Sequence, residues 1–109
     1  MITVVVNFKI TAGITREEII NKFEKTVAKW SSNPDLIRKS YLIDPDRGTA
    51  GGICLWKEKI HAKIWHGAEF RKTVKDNFGE EPVLQFYETP IVVDNLAGNI
   101  VKERDFIIK

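Results

Sequence analysis

Disulfides, membrane spans and a strong net charge are all missing from this sequence. Cys54 is the single cysteine, so no intrachain disulfide can form. No apolar run approaches the roughly 20 residues that cross a bilayer, and the first residues lack the basic and apolar segments of a signal peptide. The 17 basic and 15 acidic side chains leave a net charge of +2, so no dominant field indicates nucleic acid or a membrane surface. These absences predict a cytoplasmic protein with no nucleic-acid or membrane partner.

Motifs for cofactor and metal chemistry are missing too. There is no phosphate-binding glycine loop, no dinucleotide glycine pattern and no Gly-x-Ser-x-Gly elbow. His61 and His66 lie five residues apart on a predicted helix, so they point about 140° away from each other and cannot share one metal ion. The sequence therefore predicts neither a cofactor nor a metal site. We expect the two histidines to form solvated pairs with Glu58 and Glu69, respectively.

The residues that are present suit one globular domain. The chain has 109 residues, of which 43% are hydrophobic and 29% are charged. Residues 2–10 alternate as a β-strand with one apolar face and one mixed face, and Asn7 lies on the mixed face. Thr15 and Glu18 form a capping-box pattern that predicts the start of a helix. Pro34 predicts its end, because the residue before a proline avoids helical angles.

The remaining elements complete a βαββαβ order. The pattern predicts strands over residues 35–44, 50–56 and 82–88, and a helix over residues 57–78. We expect a kink or a break at Gly67, because glycine costs about 1 kcal/mol inside a helix. The Gly51–Gly52 pair indicates a bulge, or close approach of another backbone or a ligand. The simplest packing is the ferredoxin-like α+β fold, a four-stranded antiparallel sheet with both helices on one face.

Apolar residues on both faces of several strands predict a homodimer. Val5 lies opposite Val4 and Val6 on the first strand, yet two helices can cover only one face of a sheet. A second copy of the same sheet is the economical cover for the other face. We assign residues 1–95 to this domain and residues 96–109 to a C-terminal extension that adds a strand at the dimer interface.

Few polar residues stand out as candidates for a site. Asn7 is disfavoured within a strand, so it either bonds a neighbour or orients a ligand. Arg38, Lys39 and Tyr41 alternate on the second strand and are expected at the surface or an interface, although an arginine that lines a pocket would suit an anionic substrate. The neighbours of Cys54 on its face of the third strand are Gly52 and Trp56, and neither supplies a positive or basic group, which predicts a packed and inert thiol.

The third strand and the segments after it resemble a known family. The run Ala-Gly-Gly-Ile-Cys-Leu-Trp at residues 50–56, the helix that ends at Gly79 and the strand within residues 80–88 are similar to the YdhR-like monooxygenases. The likeness covers about half of the chain well. It implies a ferredoxin-like fold that forms a dimeric α+β barrel, and it implies an oxygenase activity.

The wider superfamily includes haem-degrading monooxygenases, and the resemblance to them is partial. Asn7 matches an asparagine on their first strand, and Trp65 matches a tryptophan on their second helix. Val74 falls at the position of their haem-ligating histidine, and valine cannot bind iron. Haem degradation is therefore a minor alternative.

The main functional hypothesis is a cofactor-independent monooxygenase that acts on a small aromatic or polycyclic compound. In it, Asn7 donates a hydrogen bond to the developing oxyanion, and His61 or His66 acts as the base. The residues expected to contact the substrate are Trp65, Arg38 and Tyr41. Two other interpretations stay open, a non-catalytic homodimer that binds a small molecule and a purely structural dimer.

Overall fold

A computed structural model describes residues 1–103 of the chain. Within this range the elements follow one another as β1 (Ile2–Lys9), α1 (Arg16–Ser31), β2 (Leu36–Asp44), β3 (Thr49–Trp56), α2 (Lys59–Trp65), α3 (Ala68–Phe78), β4 (Val83–Glu88), β5 (Ile91–Asp94) and β6 (Asn99–Lys102). None of the helices in this part of the chain is long and apolar enough to cross a membrane.

The main sheet contains four strands in the order β2-β3-β1-β4, and every neighbouring pair is antiparallel. The helices pack against one face of this sheet, which we call the inner face, and the opposite face is called the outer face. Buried side chains of the inner face and of all three helices form one hydrophobic core. The predicted ferredoxin-like α+β arrangement is therefore confirmed.

The alternation of β1 decides which of its side chains meet the helices. Val4, Val6 and Phe8 are buried on the inner face, whereas Asn7 and Lys9 are exposed on the outer face. Since successive side chains in a strand point to opposite faces, this division follows directly from the sequence. The apolar face that the sequence predicts is the one that the helices cover.

The helices begin and end where local signals predict. Thr15 Oγ1 accepts a hydrogen bond from the Glu18 amide at 3.2 Å, which caps the first turn of α1. The predicted break in the second helical segment is confirmed, because α2 ends at Trp65 and α3 starts at Ala68. Gly67 lies between them with extended backbone and serves as the N-cap of α3.

The glycine pair of β3 marks close contact with the neighbouring strands. A Cβ atom on Gly51 would lie 1.9 Å from the carbonyl oxygen of Val6, and one on Gly52 would lie 2.9 Å from that of Ser40. Close approach of a backbone, one of the two predicted explanations, is therefore confirmed. The register irregularity in the pairing of β2 with β3 lies away from the glycine pair, between Leu36 and Arg38.

A hairpin of β5 and β6 follows the main sheet, and β5 was not predicted. Pro90 precedes β5, and turn residues follow it after Asp94, so this part of the sequence has the features of a loop. A strand of four residues is also too short to show a clear alternation of apolar and polar side chains. The amide of Thr89 donates to the carbonyl oxygen of Met1 at 2.9 Å and starts the hairpin beside β1. The predicted boundary at residues 95/96 falls in the turn of the hairpin, and residues 104–109 of the predicted late strand lie outside the described residues.

Candidate functional site

A cavity of about 80 Å³ lies between the inner face and helices α1 and α3, and we call it the inner cavity. Its apolar walls include Val6, Phe8, Phe23, Trp30, Phe70, Val74 and Phe78. Its polar lining consists of Lys22, Thr26, Lys29, Lys39, Tyr41, Thr73 and Asn77. Gly52 contributes to the floor, where the missing side chain leaves the inner face of β3 bare. Ring faces and a few polar groups are the usual lining of a small-molecule site.

Two hydroxyl groups form a hydrogen-bonded pair at this cavity. Thr26 Oγ1 donates to the carbonyl oxygen of Phe23 at 2.7 Å and lies 2.6 Å from the hydroxyl oxygen of Tyr41. A threonine has one hydroxyl hydrogen, so Tyr41 is the donor of the second bond. Burial raises the pKa of Tyr41, and the bond to Thr26 offsets part of this effect. Tyr41 therefore stays protonated at neutral pH, and its oxygen retains lone pairs that can accept a hydrogen bond.

Lys39 brings a positive charge to the same cavity. Its Nζ lies 4.7 Å from the centre of the Trp30 ring and 4.9 Å from that of the Tyr41 ring, which is cation–π geometry. The same ammonium donates to Cys54 Sγ at 3.4 Å. Pairing of β2 with β3 places Lys39 directly beside Cys54. The sequence-based expectation that no positive group lies near this thiol is therefore wrong.

Cys54 is nevertheless the packed thiol that the sequence predicts. Its side chain is fully buried. Burial raises the pKa of the Cys54 thiol, and the charge and hydrogen bond of Lys39 offset only part of this effect. The thiol is thus neutral at physiological pH, and a neutral buried thiol is a poor nucleophile.

His66 lies in the core behind the aromatic wall. It is only 2% exposed, and its ring stacks on Trp30 with 6.1 Å between centroids. Trp56 Nε1 donates to His66 Nε2 at 3.0 Å, so the neutral imidazole carries its hydrogen on Nδ1. Nδ1 is buried without a hydrogen-bond partner among residues 1–103. Burial, and secondly the charge of Lys39, lower the pKa of His66 from 6.5 to about 4.

The expected solvated pair of His66 with Glu69 is wrong. His66 is the C-cap of α2 and has non-helical backbone angles, with φ −105° and ψ 26°. Helical spacing therefore does not continue from His66 to Glu69, which belongs to α3. His66 points into the core, and Glu69 lies at the surface.

Among the residues predicted for the site, Tyr41 lines the inner cavity. Asn7 is exposed on the outer face and borders a broad groove of about 470 Å³ there. Trp65 lies on the helix side of the sheet, with its ring 6.3 Å from that of Trp30. Asn7 and Trp65 are thus separated by the sheet, and the expectation that they line one pocket is wrong.

The other two predicted residues contact carboxylates. His61 lies at the surface, 3.4 Å from Asp35 and 3.5 Å from Glu58, so the predicted contact with Glu58 is confirmed. Arg38 points to the outer face, where its Nη1 lies 3.1 Å from Asp94 Oδ2. Arg38 therefore ties the β5–β6 hairpin to the main sheet.

Lys39 and Thr26 are among the cavity residues that were not predicted for the site. Alternation along the second strand places Lys39 on the same face as Tyr41, and this parity is the signal that could have identified it. Thr26 reaches Tyr41 because α1 packs against β2, and no local pattern shows that contact.

The inner cavity does not fit a haem group. Val74, at the position that the resemblance assigns to the haem ligand, is a buried apolar side chain of α3. A cavity of about 80 Å³ is also far smaller than a porphyrin. Within residues 1–103, no group of three or more His, Cys, Asp or Glu side chains is placed to hold a metal ion.

The fold class, a mixed α+β fold built on one four-stranded antiparallel sheet, has counterparts among solved structures. A putative antibiotic biosynthesis monooxygenase from Bordetella bronchiseptica superposes with a TM-score of 0.65 and 12% identity, over 81% of this chain and 95% of its own. Another, from Caulobacter crescentus CB15, has a TM-score of 0.54 and 16% identity, over 81% of this chain and 88% of its own. No protein-family model and no curated protein sequence matches the chain. The likeness shows a shared fold, and membership of the narrower YdhR-like family stays a prediction.

Proposed function

We propose that the protein is a cofactor-independent monooxygenase that oxidises a small aromatic compound in the inner cavity. The observation that carries this proposal is a ring-lined cavity with the hydroxyl pair of Thr26 and Tyr41 at its side. The names of the two superposed structures favour the same chemistry, since both are called monooxygenases.

The reaction balances without a resident electron donor. A substrate that loses two hydrogen atoms and gains one oxygen atom uses one O₂ and releases one water molecule. The substrate itself supplies the electrons, and it reacts as an anion after one of its hydroxyl groups has released its proton to bulk water, as an electron-rich quinol can. The chain's task is then to bind the ring, exclude water and hold the substrate in place.

Tyr41 is the residue that can orient a substrate hydroxyl. Its own hydrogen is used on Thr26, so its oxygen can accept a hydrogen bond from a hydroxyl group that the anionic substrate retains, such as the second O–H of a quinol. This role replaces the one first assigned to Asn7, which the sheet separates from the cavity. The mutually tilted rings of Phe8, Phe23 and Phe78 would contact the substrate ring.

The size of the cavity restricts the substrate. A dry cavity of about 150 Å³ holds one benzene molecule, and the inner cavity measures about 80 Å³. One ring therefore has to widen the cavity or project from its mouth, where Lys29, Thr73 and Asn77 are exposed. A monocyclic substrate is the better match than a polycyclic one.

We also propose that a second copy of the chain covers the outer face. Exposed apolar side chains there include Leu42, Ile53, Val83 and Tyr87. The hairpin covers one end of this face, where Val92 lies beside Ile53 and Leu55. The rest is an apolar area of the kind that marks an interaction surface. Sedimentation velocity at micromolar concentration is expected to show a dimer, and a single species of 12.5 kDa would contradict this proposal.

Oxygen uptake with a panel of monocyclic phenols and quinols tests the oxygenase proposal. We expect uptake with at least one compound and, with isotopically labelled O₂, one labelled oxygen atom in the product. Tyr41→Phe should lower the rate about 10- to 100-fold, because it removes the oxygen that orients the substrate. Tyr87→Phe, on the exposed outer face, is the matched control and should keep the rate.

Two results would overturn the oxygenase proposal. Uptake that is equal in Tyr41→Phe and the unaltered protein would remove the inner cavity from the reaction. Binding of the phenols without any uptake would favour the alternative interpretation, a non-catalytic protein that binds a small molecule.

A further inference from the structure

We propose that the ligand of the inner cavity is an aryl anion, a phenolate or an aryl carboxylate, whose negative charge pairs with Lys39. This inference rests on the proposed function only because it concerns the same cavity. It specifies that the ligand is negatively charged, and it assigns Lys39 as the residue that recognises this charge.

The surroundings of Lys39 leave its positive charge uncompensated. Its ammonium group is packed over the rings of Trp30 and Tyr41 and bonds to the thiol of Cys54. That thiol is neutral, so it contributes a hydrogen-bond acceptor and no negative charge. Among residues 1–103, no carboxylate lies within ion-pair distance of Lys39. A partly buried cation without a counter-ion is costly, and a bound anion would relieve that cost.

The hydrogen-bonding capacity of Lys39 supports the same conclusion. An ammonium group has three N–H donors, and the contact with Cys54 uses one of them. Lys39 lines the inner cavity together with Gly52, whose bare backbone leaves room beside the ammonium group. An anionic oxygen placed there would receive charge-assisted hydrogen bonds.

The charge pattern around the cavity is one-sided. Lys22 and Lys29 line it together with Lys39, and no Asp or Glu of residues 1–103 does so. The cavity therefore carries three positive charges, although the net charge of the whole chain is only +2. A pocket lined by charge of one sign raises the local concentration of ligands with the opposite sign.

The apolar walls define the rest of the ligand. Phe8, Phe23 and Phe78 present rings toward the space that Lys39 faces, and Val74 adds an aliphatic side. An inorganic anion would leave these walls unused, whereas a ring that carries one anionic oxygen group would contact walls and ammonium together. The combination points to an aryl anion and not to a phosphate or a free mineral ion.

Calorimetric titration with matched pairs of small aromatics tests the inference. The pairs are 4-nitrophenolate with 4-nitroanisole, and benzoate with benzamide, so that each anion has a neutral counterpart of similar shape. We expect at least one anion to bind roughly 10- to 100-fold more tightly than its neutral partner, as a charge-assisted hydrogen bond would require. The first pair reports a phenolate ligand, and the second pair reports a carboxylate.

Two variants test whether Lys39 causes the preference for the anion over its neutral partner. Lys39→Met keeps an apolar stem over the two rings and should bring the affinity for the anion close to that of its neutral partner. Lys9→Met, on the exposed end of β1, removes an equal charge away from the cavity and should preserve the selectivity. Thermal unfolding of each variant verifies that it is folded.

A spectroscopic signature separates direct pairing from a general effect of net charge. Near the pKa of 4-nitrophenol, binding should raise the fraction that absorbs as phenolate, and this rise should vanish in Lys39→Met. Equal affinities for anion and neutral partner in the unaltered protein, or selectivity that survives in Lys39→Met, would overturn the inference.

Failure of this inference can be distinguished from failure of the oxygenase proposal. Lys39-dependent binding of an anion with no oxygen uptake overturns the oxygenase proposal and supports the anion site. Oxygen uptake that is unchanged in Lys39→Met overturns the anion site and leaves the oxygenase proposal in place.

Discussion

Acidification should destabilise this protein through a single buried imidazole. His66 is 2% exposed, and its Nε2 accepts a hydrogen bond from Trp56 Nε1. Protonation would turn that nitrogen into a donor facing another donor, and would place a second positive charge near Lys39. Burial first, and the charge of Lys39 second, therefore lower the pKa of His66 from 6.5 to about 4.

The sign of the effect follows from the two pKa values. As pH falls below 6.5, the unfolded chain takes up a proton on His66 while the folded chain does not, until the pH reaches about 4. The free energy of unfolding therefore decreases as pH falls through this range. The whole range corresponds to about 3 kcal/mol, and the part between pH 7 and pH 5 to about 2 kcal/mol. A domain of this size has a total stability of about 5–15 kcal/mol, so the loss is measurable.

Urea unfolding followed by tryptophan fluorescence, at one protein concentration and at pH 7 and pH 5, measures the effect. We expect the unaltered protein to lose about 2 kcal/mol between the two pH values. His66→Phe should lose much less, whereas His61→Gln, which removes the surface histidine, should keep the loss. A direct titration of the His66 ring by NMR gives its folded pKa independently. The reasoning would be refuted by a midpoint near 6.5, or by an equal loss in His66→Phe.

Two further substitutions test the sheet. Gly51→Ala should lower the free energy of unfolding by at least about 3 kcal/mol, because the added Cβ would lie 1.9 Å from the Val6 carbonyl oxygen. Chemical denaturation measures this loss. Ile53→Lys should convert the proposed dimer to a monomer, because it adds a charge to an exposed apolar position on the outer face; sedimentation velocity measures it.

Each substitution has a matched control. Gly67→Ala should cost no more than about 1 kcal/mol, since its Cβ would meet the nearest atom at 3.4 Å; a similar cost at Gly51 and Gly67 would contradict the packing argument. Ile60→Lys, on α2 and more exposed to solvent than Ile53, should remain dimeric. If both lysine variants dimerise with the same affinity, the dimer interface does not lie on the outer face.

Local signals were sufficient for most of the secondary structure. The alternation of β1, the cap at Thr15 and the break at Gly67 each depend on residues a few positions apart. A capping hydrogen bond spans three residues, and a strand face repeats every second residue, so both can be read along the chain. The strand β5 escaped prediction because Pro90 precedes a segment of only four residues.

The candidate site depended on contacts between distant segments. Lys39 meets Cys54 through the register of β2 with β3, and Tyr41 meets Thr26 through the packing of α1. The pattern of Asn7 placed it correctly on the mixed face, but did not show that the helices cover the other one. Whether Asn7 and Trp65 can line one pocket depends on which face of the sheet the helices cover, and local sequence patterns do not show this.

The sequence by itself determined the order of strands and helices and which face of each strand is apolar, because these properties arise from backbone periodicity and from neighbours along the chain. Only the tertiary structure decided that Lys39 would carry its charge into a ring-lined cavity, with no carboxylate of residues 1–103 at ion-pair distance, and that His66 would be buried against Trp56. Burial and charge at these positions are set by residues 10 to 40 positions away, and their influence acts through space.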